Sequence, residues 1–202
     1  MKNIKKIISL FLILFLIPLA SSAQVFKSNQ LIFDAIPLNL QEITQSAGKV
    51  FTGVCTKIEE IENDPLSNLE VVKFTFRVAE PIKGLNNETE ITFKQWRPTV
   101  SESSYKVGEK YVIFLYPESK LGLTSTVGHL QGKFLVEKKG VNRGVEYASN
   151  SFNNIGLIKN FRTKKAEIKD DKILQSYIDE CSEKGKPIRY KDFIKAIRSF
   201  LK

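Results

Sequence analysis

Histidine and cysteine are scarce in this chain: His129 stands alone, and Cys55 and Cys181 are the only thiols among 202 residues. Two cysteines cannot build a disulfide framework, so a packed core must hold the fold. One histidine and two distant cysteines lack zinc-ligand spacing, and neither HExxH nor a G-x-S-x-G elbow occurs. With no nucleophile, base and orienting group to nominate together, the sequence predicts no catalytic residues, no cofactor and no metal. Repeats and low-complexity linkers are also missing. After the first 20 residues no run is apolar enough to cross a bilayer.

The one long apolar run is N-terminal. Lys2, Lys5 and Lys6 precede Ile7–Leu19, and Ser21 and Ala23 then place small residues where a signal peptidase reads, predicting cleavage before Gln24. A retained membrane anchor is the rival reading, but the run is short of the roughly 20 residues a span needs, and Pro18 interrupts it. No cysteine follows to make a lipoprotein. The expectation is a secreted or periplasmic protein with no membrane span after cleavage. In an oxidising compartment the even cysteine count permits one bridge, Cys55–Cys181, against the alternative of two separately buried thiols.

Charge is unevenly spread. The formal net charge is +9; residues 24–158 balance 15 basic against 15 acidic side chains, whereas residues 159–202 hold 13 against 7. The basic tail suits an anionic partner or a solvated helix face. Nucleic acid is not expected, because the β-rich part is neutral and the chain is exported.

Pattern then places the elements. Leu40–Ala47 reads as a short helix with Gly48 as a left-handed cap. Lys49–Ile61 is β-branched and aromatic, and a turn cluster follows at 63–68. Val72, Phe74, Phe76 and Val78 alternate with Lys73, Thr75 and Arg77, a half-buried strand closed by Pro81 and Gly84. Thr89–Trp96 gives a third strand. Lys110–Tyr116 is apolar on both faces, as a strand covered on both sides should be. Leu123–Val127 and Lys133–Lys138 fit two more strands around a turn at 128–132. Asp170 is the expected cap of a helix over 171–183 with Ile173, Leu174, Tyr177, Ile178 and Cys181 on its apolar stripe, and Lys191–Leu201 predicts a second helix that clamps the first or the β-domain.

The phrases KVFTGVCTKI (49–58), FTFRVAEPIKG (74–84) and VGEKYVIFLYPE (107–118), with VGHLQGKF (127–134) after them, resemble bacterial members of the netrin-like superfamily. That OB-fold group includes the tissue inhibitors of metalloproteinases. The resemblance covers about residues 40–140 and implies a mainly β, OB-like antiparallel barrel over 24–160, preceded by the 1–23 signal peptide and followed by a two-helix C-terminal extension over 161–202. The tissue inhibitors chelate the protease zinc with an N-terminal cysteine. Here the expected mature terminus is Gln24, so that mechanism does not carry over.

The reading is a secreted, non-catalytic binding module for an extracellular or envelope protein. The alternative is an OB-type module for a glycan or another anionic polymer. Candidate binding residues are Trp96 and Arg97 at a strand end, Tyr105 across the loop, His129 in its turn, and Lys133. For Trp96 the favoured reading is nonetheless a cap on the barrel core, since tryptophan is mostly buried. Lys133 reads equally as a solvated lysine. Exposed apolar surface would favour the protein partner; basic residues clustered beside an exposed Trp96 would favour the polymer.

Overall fold

The structure, a computed structural model, describes residues 36–100, 104–139, 144–160, 162–169 and 171–201. The signal-peptide reading and Gln24 lie outside these residues, as does Asp170. Helix α1 (Leu40–Ser46) begins on a capping box: Asn39 accepts the Glu42 backbone N–H at 2.9 Å, and Glu42 accepts that of Asn39 at 2.8 Å. Gly48 is not its cap. The helix stops at Ala47 in an extended conformation, and Gly48 is needed for space, because a Cβ there would meet Pro117 Cα at 2.9 Å.

Seven strands then form one antiparallel sheet: β1 (Lys49–Ile61), β2 (Val71–Lys83), β3 (Glu90–Trp96), β4 (Lys110–Leu115), β5 (Lys133–Lys138), β6 (Glu146–Ser149) and β7 (Ile188–Arg189), in the order β3-β2-β1-β4-β5-β6-β7. The protein is mainly β, as expected, but the sheet is open rather than closed. β2 does not end at Pro81. β3 pairs only with Val71–Arg77, so that side of β2 has no ladder for the proline to break. Three register shifts along β1–β2 bend and twist the long hairpin. Leu123–Val127 is not a ladder strand; it touches the sheet at two isolated bridges, Lys94 with Leu123 and Leu115 with Thr126.

Both faces of the sheet are covered, and β4 shows why its sequence is apolar throughout. Tyr111, Ile113 and Leu115 join Phe51, Cys55, Phe74, Phe76 and Phe93 on one face. Val112 and Phe114 point the other way, with Val50, Phe134 and Ala148, beneath the helices. Those helices are α1, α2 (Lys172–Lys184) and α3 (Tyr190–Ser199). The C-terminal helices therefore share the principal core: Leu174, Ile178, Cys181, Phe193 and Ile197 belong to the same buried cluster as β4 and β5.

The cap of α2 is Asp171, one residue later than expected, with Oδ1 accepting the Leu174 N–H at 2.8 Å. Ile173 is off the apolar stripe and 86% exposed. Tyr190 ties α3 to the sheet. Its phenol donates to Glu80 at 2.6 Å, which leaves the buried Thr52 hydroxyl, 2.9 Å away, to donate to the phenol oxygen. Of the two readings of the cysteines, separately buried thiols is the one observed, and no Cys55–Cys181 bridge forms. Both thiols are free and buried, in clusters on opposite faces of the sheet, so the sheet itself separates them.

Candidate functional site

β3 alternates strictly. Ile91, Phe93 and Gln95 point into the core, which turns Thr92, Lys94 and Trp96 outward. Trp96 is 40% exposed, so it does not cap the core. Two loops converge over Lys94, the preceding outward residue of β3. The β1–β2 turn folds around Asp64, whose carboxylate accepts both the Ser67 N–H and hydroxyl at 3.0 Å and the Lys94 ammonium at 2.6 Å. From the other side, Gly122 sits at a left-handed φ of +67°, where a Cβ would meet Leu66 Cδ2 at 2.9 Å and Lys94 Nζ at 3.5 Å. The Thr124 N–H then donates to the Lys94 carbonyl at 3.0 Å.

The result is a face with Leu66 56% exposed, Leu121 47% exposed and Trp96 at the end of the strand. Its charges are matched. Lys94 pairs with Asp64, Lys73 with Glu59 at 2.8 Å, and Arg97 with Glu60 at 3.3 Å and Glu70 at 4.0 Å. Trp96 thus stands beside neutralised arginine rather than in a basic cluster.

The Lys94 ammonium beside Asp64 holds its carboxyl well below the usual range, at about 2 rather than 3.8. Because the folded value is depressed, the stabilisation is complete above about pH 4 and is lost as pH falls toward 2. An Asp64→Asn variant should therefore unfold at lower denaturant than wild type near pH 6, with the two midpoints merging near pH 2. An equal gap at both pH values would contradict this.

Tyr105 and Lys133 are elsewhere. Tyr105 is not across the loop from Trp96 on the surface but inside the aromatic core, its ring 4.8 Å from that of Phe74 and 5.2 Å from that of Phe76. Its hydroxyl is buried without a hydrogen-bond partner among the described residues. Lys133 is only 9% exposed, so it is not a solvated lysine. Its ammonium donates to the Ser104 carbonyl and lies 5.3 Å from the Tyr105 ring centroid. Burial brings that ammonium down to about 8, pushes the Tyr105 and Tyr111 phenols well up and raises the Cys55 thiol. At neutral pH these phenols and the thiol keep their protons, the unreactive form. His129 occupies a 3-10 turn at φ +54°, where its carbonyl accepts the Thr126 hydroxyl at 2.6 Å.

The structure thus joins Trp96 and Arg97 with Lys94, Asp64, Leu66 and Leu121, which sequence reasoning did not nominate. The period-2 pattern of β3 already set Lys94 and Trp96 on one side. Nothing local signals that the 62–70 and 117–122 loops meet there. Among the described residues no cluster of three or more His, Cys, Asp or Glu side chains is arranged to hold a metal ion, and no helix is long and apolar enough to cross a membrane. The chain matches no protein-family model and no curated protein.

Proposed function

We propose that this chain is an exported, non-catalytic binding module of the OB, netrin-like kind that engages an extracellular or envelope protein through the face around Trp96. One observation carries the reading: two loops converge over β3 and leave Leu66, Trp96 and Leu121 exposed within a charge-balanced rim. OB modules bind through the β2–β3 face and through the loops between strands 1 and 2 and between strands 4 and 5. Exposed apolar side chains inside a polar rim suit a protein surface.

Support for the barrel lies in the Leu123–Val127 segment. It bonds back to β4 through Tyr116 N–H to Ser125 and Val127 N–H to Phe114, both at 2.9 Å, and reaches β3 at Lys94. Added to β3-β2-β1-β4, it supplies a fifth member for a partly open barrel. The matched charges at Arg97 weigh against an anionic polymer at this face.

Retention of envelope proteins on immobilised wild type, Trp96→Ala and Leu66→Glu chains tests the proposal. A partner retained by wild type should be lost with either variant and kept by Ile173→Glu, a change at an exposed position of α2. Equal retention by all four would refute it.

A further inference from the structure

A cleft of about 560 Å³ opens between the end of β2 and the two C-terminal helices. Its floor is apolar and built from three elements: Ile168 from the connection before α2, Leu174 from α2 and Ile194 from α3, all buried. The carboxylates in its walls are already engaged. Glu80 accepts the Tyr190 phenol at 2.6 Å and Arg198 at 2.8 Å, and Asp171 accepts Lys195 at 2.6 Å and the Leu174 N–H. Two more cations in the lining, Lys169 and Lys191, have no ion-pair partner among the described residues.

Among the described residues of the lining, four cations face two carboxylates around an apolar floor. The volume is that of a ligand pocket. A second cleft of about 460 Å³, with Asn39, Glu42, Lys164 and Lys165 in its lining, shares Lys169 with the first. Lys169 borders both clefts, and the second carries Glu42 and Glu167 beside its lysines.

We propose that the first cleft binds an acidic peptide segment in which an apolar side chain is flanked by carboxylates. The apolar residue would cover Ile168, Leu174 and Ile194, and its neighbours would neutralise Lys169 and Lys191. A sulfated glycan offers nothing to the apolar floor. A peptide brings spaced charges together with an apolar side chain. The site is separate from the Trp96 face and does not depend on it.

Fluorescence anisotropy with labelled Asp-Glu-Leu-Asp-Glu tests this on the purified chain. The probe should bind, more weakly as salt shortens the screening length to about 8 Å at 0.15 M. The paired exposed substitutions Lys169→Glu and Lys191→Glu should weaken binding by about tenfold or more. Replacing the probe's acids by Asn and Gln, or its Leu by Ser, should weaken it as well. Trp96→Ala should leave the affinity unchanged, which separates failure here from failure of the Trp96 face. No binding, affinity indifferent to the lysines or to the probe's leucine, or displacement by a sulfated oligosaccharide at lower concentration than by unlabelled peptide would overturn the proposal.

Discussion

Replacing Phe76 with alanine is expected to destabilise the protein by about 3–5 kcal/mol, the range for a fully buried aromatic side chain. Phe76 lies midway along β2 with no solvent exposure. Its ring is 5.8 Å from those of Phe51 and Phe93, 5.2 Å from Tyr105 and 6.3 Å from Tyr111. These neighbours come from β1, β3, the loop before β4, and β4 itself, so no single element can shift to fill the void. Denaturant titration with an unchanged slope would report the loss as stability. A change below about 0.5 kcal/mol would mean that this face of β2 is not core.

Asn154→Ala should rank next, at about 3 kcal/mol, through hydrogen bonds rather than volume. Asn154 is fully buried in the turn after β6. Its side chain accepts the Asn150 N–H at 3.0 Å and donates to the carbonyls of Ala148 at 3.0 Å and Lys186 at 3.1 Å. It thereby ties β6 to the segment that leads from α2 into β7. It also adopts φ +65°, which asparagine tolerates better than alanine. Asn153 is the matched control. It too has a positive φ, +51°, but its side chain makes none of these bonds. Asn153→Ala should report the backbone part alone, and equal losses for the two variants would show that the side-chain network is not what stabilises the turn.

The strands that sequence made legible are those with a strong local period. Val72–Val78 alternates because β2 is half-buried, and β4 is apolar throughout because Phe114 and Ile113 enter different cores. β6 and β7, with four and two residues, carry no such signal and form only because distant segments bring partners to them. Residue type alone misplaces Trp96, although its position in the β3 alternation points outward. Tyr105 lies in a polar stretch that reads as loop, yet its ring completes the aromatic core. The apolar stripe placed Cys181 inward correctly, but only the topology shows a sheet between it and Cys55. The basic tail was visible as composition; the cleft it lines depends on how α2 and α3 pack against Glu80.

A photo-crosslinking residue in place of Leu66 tests the proposed binding face most directly. Ile173, more exposed than Leu66 yet on the helical side, is the control for apolar exposure as such. Irradiated in the native envelope, the chain labelled at 66 should form a discrete protein adduct that the added Trp96→Ala change removes, and the chain labelled at 173 should not form it. The same adduct from both positions, or none from position 66, would contradict a binding face at Trp96.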